Sequence, residues 1–225
     1  MKKLIPLLVA ALALTACGTP SRTRASLYPE MYNERPLTLL IMPPINNTAT
    51  VEAKELLYTS ISRPLAEAGY YVISPTLSMD VLRQESAYDA ELFIDRPLKQ
   101  FREFFGADAV VFSVIDKWAK QGVGIQTKIR YIIRSAVTDQ VLFDRTCDLY
   151  LDLSVNSGSN NQGLLGALVD LAAGMLNTAL TERIEAARKA NYYIFQDLPV
   201  GKYDNLYDQD RDFYADPQNI SRTVK

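Results

Sequence analysis

Ser60, Ser62 and Lys54 are the nearest this sequence comes to a nucleophile with its base. Their spacing argues against the pairing. Helical side chains meet at i+3 or i+4, and Lys54 stands six and eight positions from the two serines. The chain contains no histidine, so Ser-His-Asp and Cys-His catalysis and imidazole metal sites are excluded. Among 26 Asp and Glu residues, the most pointed settings are Asp95-Arg96 before Pro97, and Asp108 in Gly106-Ala107-Asp108. The first reads as a helix cap and the second as a turn entering a strand. No glycine-rich phosphate loop follows a strand. Pro43-Pro44-Ile45-Asn46-Asn47 lacks the successive glycine N–H groups such a cradle needs, and Gly122-Val123-Gly124 is short and leads into a strand. A net charge of -2 gives no electrostatic footprint for nucleic acid. A non-catalytic protein is expected, with no metal and no cofactor.

One residue does have a specified chemistry. Met1-Lys2-Lys3 is a positive start, Leu4 to Leu14 an apolar run, and Leu14-Thr15-Ala16-Cys17 ends it. This is the pattern of a signal peptide over residues 1–16. The apolar run is half the roughly twenty residues a spanning helix needs. Leu14-Thr15-Ala16-Cys17 resembles the bacterial lipobox, in which the thiol of the Cys accepts a diacylglyceryl group before cleavage on its amino-terminal side. A thiolate is the nucleophile for that step, and two or more acyl chains anchor stably where one does not. The resemblance implies attachment to a membrane through Cys17. Gly18 stands where Asp would resemble an inner-membrane retention signal, so the outer membrane is favoured. Cys147 is then the remaining thiol, without an intramolecular partner, and burial suits it.

These residues must be carried by a fold. Residues 17–36 have no sustained period and read as a lipidated tether, and residues 199–225 as a weakly ordered tail. Between them, residues 37–198 read as one domain. Leu37 to Met42, Tyr70 to Ile73 and Ala109 to Ile115 are short apolar strands separated by helical patterns at Thr50–Ala68, Leu77–Gln84 and Pro97–Phe105, the last with Gly106 as its cap. Continuous apolar strands between helices indicate a parallel sheet. In such sheets ligands favour the crevice at the carboxyl ends of strands, here Pro43–Thr48, Ser74–Thr76 and Lys117-Trp118.

From Val123 to Val137, and again from Val141 to Leu153, odd positions are mostly apolar. Period two on both sides of 138–140 indicates an antiparallel hairpin with one wet face. Both strands bury odd positions, so paired numbers sum to an even value. A sum of 278 sets Arg134 against Asp144 and Arg130 against Asp148, and cross-strand charge pairs of about 0.2–1 kcal/mol favour it. A long helix is expected from Gln162 to Ala190. Leu164 to Leu176 is apolar nearly all round, so it is either a covered core helix or a contact between subunits.

Leu37-Thr38-Leu39-Leu40-Ile41-Met42-Pro43-Pro44 and Phe105-Gly106-Ala107-Asp108-Ala109-Val110-Val111, in this order of elements, resemble a family of bacterial lipoproteins of unknown function best known from genome-derived Neisseria surface antigens. The strand, Pro and Asn pattern before a helix is also similar to the TolB amino-terminal domain and to the curli-secretion lipoprotein CsgG. The resemblance implies an α/β fold: a mixed sheet of about five strands, a parallel part plus one antiparallel hairpin, flanked by helices. It implies an outer-membrane lipoprotein working in a cell-envelope assembly for secretion or surface organisation, with envelope proteins, a CsgG-like lipoprotein among them, or further copies of itself as partners. A pore is disfavoured, because Arg130, Arg134, Asp144 and Asp148 would be costly on a lipid-facing strand. The alternative is a periplasmic enzyme or ligand-binding module for cell-wall or sugar material.

Overall fold

The computed structural model describes residues 22–154 and 171–225. Two short helices come first, α1 (Arg24–Leu27) and α2 (Pro29–Glu34). Strand β1 (Thr38–Ile41) follows, stopped by Pro43-Pro44, and β2 (Ile45–Asn46) resumes beyond the prolines. Helix α3 (Glu52–Glu67) buries Ala53, Leu57, Ile61 and Leu65, a four-residue spacing that makes one stripe. Strand β3 (Tyr71–Val72) and helix α4 (Pro75–Gln84) come next. After a 3-10 turn at Ala90–Leu92, α5 (Lys99–Phe105) is capped by Gly106 in the left-handed region at φ 69°, whose N–H reaches the Arg102 carbonyl. Three long strands, β4 (Ala109–Gln121), β5 (Gly124–Ser135) and β6 (Val141–Asp152), precede α6 (Leu171–Phe195) and β7 (Asn219–Val224).

The mixed α/β fold expected is the fold found, with seven strands among the described residues where about five were expected. The sheet runs β3-β1-β4-β5-β6-β7, with β2 also on β4. β1 pairs in parallel with β3 and β4, β4–β5–β6 is an antiparallel meander, and β7 lies parallel to β6. Both faces carry a core. On one, α3 and α6 cover Leu39, Val111, Ile129, Tyr131 and Cys147. On the other, Leu82, Leu98 and Phe101 of the α4–α5 region cover Leu40, Val110, Phe112 and Ile132. The hairpin's second face is therefore covered near Ile132, and only its middle is polar and open.

The expected strand register is corrected. From Gly124↔Asp152 to Ile133↔Phe143 the pairs sum to 276, and Arg134 then meets Val141 across a bulge. Arg130 faces Thr146 and Asp148 faces Lys128. The turn is longer than expected, running from Ala136 to Gln140 with Asp139 at φ 63°, and the Ser135 hydroxyl accepts from the N–H groups of Val137 and Thr138. That turn and the Leu142 bulge fix the register. Val137 and Val141 are exposed. The meander itself has a second hairpin, β4–β5, turned by Gly122-Val123, and a bulge at Asp116 flips its parity so that Trp118 enters the core.

Two boundaries are also corrected. Residues 24–27 and 29–34 are helical, and this segment buries Tyr28, Met31 and Tyr32, so the part of the expected tether from residue 22 on belongs to the domain. Residues 199–225 are not a loose tail. They bury Gly201, Asp210, Ala215 and Ile220 and end in β7. At their start the chain passes so close to Gly69 (φ 85°) that a Cβ there would sit 2.6 Å from the Asp204 nitrogen. The long helix continues past Ala190 to Phe195. The stretch Leu164 to Leu176, on which self-association was expected, begins outside the described residues and enters α6 where no side chain is described, and the signal segment with Cys17 lies outside them entirely.

Candidate functional site

The fold disperses the sequence's catalytic candidates and gives most of them structural partners. The Ser60 hydroxyl donates to the Leu56 and Leu57 carbonyls and accepts from Asn191 Nδ2 at 2.8 Å. Lys54 Nζ lies over the Tyr88 ring, 4.2 Å from its centroid. Asp108 accepts from the N–H groups of Leu37 and Thr38 and from Arg102 at 3.0 Å, tying α5 to the entry of β1. Asp95 and Arg96 are exposed, and Arg96 offers its carbonyl to Arg134 at 3.0 Å. The α5 amino terminus is met instead by Asp139, whose Oδ1 accepts from Leu98 N at 2.7 Å.

The expected crevice is a turn held by its own donors. Asn47 N donates to the Ile115 carbonyl and its Nδ2 to Asp116, Thr50 Oγ1 donates to the Trp118 carbonyl, and Asn46 Oδ1 receives both Thr48 donors. Ser74–Thr76 opens α4, where the Pro75 carbonyl takes the Tyr58 hydroxyl at 2.8 Å. The hairpin charges answer one another, but diagonally. Arg130 meets Asp144 through two bonds, 2.8 and 2.6 Å; that bonding raises its pKa. Arg134 instead binds the carbonyls of Ile94, Arg96 and Asp139 at 2.6–3.0 Å.

Three buried polar clusters were not foreseen. Arg145, fully buried, pairs with Asp197 and donates to the carbonyls of Ile194 and Pro217. Burial lowers its pKa. A charged residue on an otherwise apolar odd row was the signal available in the sequence. Arg24 pairs with buried Asp210 at 2.8 Å, and Asp210 also accepts from Val200 N. The Tyr131 hydroxyl donates to Asn191 at 2.5 Å, and burial raises its pKa well above the ordinary value. Cys147 is buried as expected, and burial pushes its thiol up to about 12.

Two of the grooves among the described residues stand out. One of about 520 Å3 lies between α3 and α6, lined by Thr59, Arg63, Glu67, Arg188 and Tyr192; Arg63 pairs with Glu67 and Arg188 with Glu185 on their own helices. The other, about 540 Å3, is lined by Leu82, Phe93, Phe101, Phe104 and Phe105. A third surface is where the chain enters the domain. The Arg22 carbonyl accepts from Ala215 N at 2.9 Å, Thr23 bridges Tyr214, and Arg24 N donates to the Phe213 carbonyl at 2.9 Å. Among the described residues, no three His, Cys, Asp or Glu side chains are grouped to hold a metal ion, and no helix is long and apolar enough to cross a membrane.

Comparison with known proteins gives a family. A family model described as "Putative lipoprotein GNA1162-like" matches residues 27–199. A curated relative, "Putative lipoprotein NMB1124/NMB1162" of Neisseria meningitidis serogroup B, is 31% identical over 187 residues, covering 81% of this chain and 85% of its own. Among solved structures, lipoprotein GNA1162 from Neisseria meningitidis matches 67% of this chain and 97% of its own at 21% identity, with a TM-score of 0.46. The PelC dodecamer from Paraburkholderia phytofirmans matches 75% of this chain and 91% of its own at 13% identity, with a TM-score of 0.39.

Proposed function

Because this chain belongs to the GNA1162-like lipoprotein family, we propose that it is a non-catalytic lipoprotein, anchored in the outer membrane through Cys17, that contributes to a cell-envelope assembly for secretion or surface organisation. The observation that carries the anchor is Leu14-Thr15-Ala16-Cys17 behind a positively charged start and an apolar run too short to span. Gly18 in place of Asp supports the outer membrane. Support for a scaffold role comes from the use of the polar side chains. Ser60, Asp108, Arg134 and Arg145 each bind backbone or a neighbouring element, and the fold is closed by them. The chain then offers surfaces to partners, as an assembly component does.

The test begins with Cys17→Ser. Lipid labelling of the wild type and its loss in the variant, with release from the membrane fraction, is the expected result. A variant that stays in the membrane fraction as the wild type does would refute the lipid anchor. Purifying the intact wild type from membranes with its bound proteins then tests the assembly role. Recovery without stoichiometric envelope partners would count against it.

A further inference from the structure

The structure shortens the tether, and that shortening determines how the domain can sit. Residues 17–36 read as a loose linker in the sequence, yet Arg22 is already held by the domain. Its carbonyl is held by Ala215 N, Thr23 bridges Tyr214, and Arg24 is clamped by buried Asp210. Only four residues, 18–21, lie between Cys17 and Arg22, which makes about five Cα–Cα steps. Fully extended they span at most about 18 Å. The headgroup layer takes up roughly 5–7 Å of that on each side of a bilayer. A domain of this size is roughly 40 Å across. The chain-entry surface therefore cannot turn away from a membrane that holds lipid on Cys17, because the tether is shorter than the body it holds.

That surface carries two exposed aromatic side chains. Phe213 is 44% and Tyr214 62% exposed, and both belong to the segment that pins Arg22 and Arg24. Arg24 lies beside the Phe213 ring, its guanidinium carbon 5.7 Å from the centroid, so the ring is braced from behind. Tyrosine favours the headgroup level, with an apolar body below and a polar tip in water, and the Phe213 ring beside Tyr214 adds apolar surface. Arg22 and Asp212, both exposed, flank the pair with opposite charges, so the rings and not net charge carry the contact.

We propose that the Phe213-Tyr214 corner is a lipid-contacting surface that seats in the headgroup layer of the bilayer anchoring Cys17. The proposal rests on the lipid anchor proposed above. Membrane attachment is then two-point, one covalent and one through the folded surface, and the domain is held in one orientation. The tip of the β4–β5 hairpin at Val123 faces away. It lies at the far end of strands that run about 23 Å from Arg145 to Asp152, while Pro217 packs at Arg145.

The experiment uses the mature lipidated chain in vesicles of phosphatidylethanolamine and phosphatidylglycerol. Tyr214→Cys and, separately, Val123→Cys are labelled with an environment-sensitive fluorophore. Both sites are exposed, Cys147 is buried, and Cys17 is occupied by lipid, so labelling is specific. Lipids carrying a nitroxide on the headgroup are then added as quenchers. Quenching several-fold stronger at position 214 than at 123, and unchanged at high salt, is expected. Equal quenching at both positions, or stronger quenching at 123, overturns the proposal. Flotation of the chain with the vesicles is scored in the same samples, beside the Cys17→Ser chain. If wild type does not float, or the variant floats equally, the anchor itself is wrong and the proposal falls with its premise. If only wild type floats and the quenching is equal, the surface assignment alone is wrong.

Discussion

Replacing Asp197 by Ala isolates the contact that closes the carboxy-terminal segment onto the sheet. Arg145 has no solvent exposure, and Asp197 is its charge partner. The carbonyls of Ile194 and Pro217 take three of its N–H bonds but neutralise no charge. Removing one member of a buried pair leaves an uncompensated charge and costs about 3–5 kcal/mol. Asp197 also accepts from Asp216 N at 2.5 Å through its other oxygen, so the variant orphans a second donor. Against a total stability of roughly 5–15 kcal/mol, this is a severe loss. Urea unfolding of the unlipidated chain from residue 18 onward, followed by circular dichroism, measures it. Hydrogen exchange at β6 and β7 should show those strands opening first. The double variant Arg145→Met with Asp197→Leu should recover most of the loss, because a buried pair replaced by apolar groups of similar volume is often neutral. A cost for Asp197→Ala below about 1 kcal/mol, or no recovery in the double variant, would refute the pair's role as the lock.

Three further outcomes follow from particular contacts. Cys147 should resist thiol reagents in the native chain and react on unfolding. Its pKa is about 12 in the fold against an ordinary 9.0, so burial of the neutral thiol stabilises fully below about pH 9, and titration should show that contribution lost as pH rises toward 12. A double-mutant cycle on Arg130 and Asp144 should give a coupling of about 0.2–1 kcal/mol, while the same cycle on Arg134 and Asp144 should give none. Ending the chain after Gln218 removes β7 with Ile220, and denaturant titration should show a loss of about 2–5 kcal/mol with faster exchange at Cys147 to Leu151.

What the sequence revealed was what is periodic or local. The apolar run of β1 ending at Pro43-Pro44, the αL cap at Gly106, and the odd-row burial of Ile129, Ile133, Cys147 and Leu149 all rest on neighbours within a few residues. The parity argument held, since 276 and 278 are both even, but the choice between them did not. It weighed charge pairs worth tenths of a kcal/mol against a turn and a bulge whose geometry outweighs them. Hairpin β4–β5 was hidden because the bulge at Asp116 moves Trp118 off the odd row. The helices α1 and α2 and strand β7 were hidden because their partners are remote. Arg24 meets Asp210 across 186 positions, and no local pattern announces such a pair. The Cys17 motif is the most specific chemistry in the sequence, carried by four residues and their distance from an apolar run, and it lies outside the described residues.

The clamp between Arg24 and Asp210 also sets a schedule. A chain emerges from its amino terminus, so Arg24 appears early, and its buried partner Asp210 comes 186 positions later. At a synthesis rate of roughly 5–20 residues per second, that interval is about 10–40 s. During it Arg24 lacks its charge partner, although the α1–α2 segment can already pack on β6, where the Tyr28 ring lies 4.7 Å from Phe143, and the edge of β6 stays open until β7 arrives. The clamp cannot close before Asp210 is present, nor the sheet before β7 is, so the closing steps of folding wait for the carboxy-terminal segment. A contact map joined end to end makes folding slow.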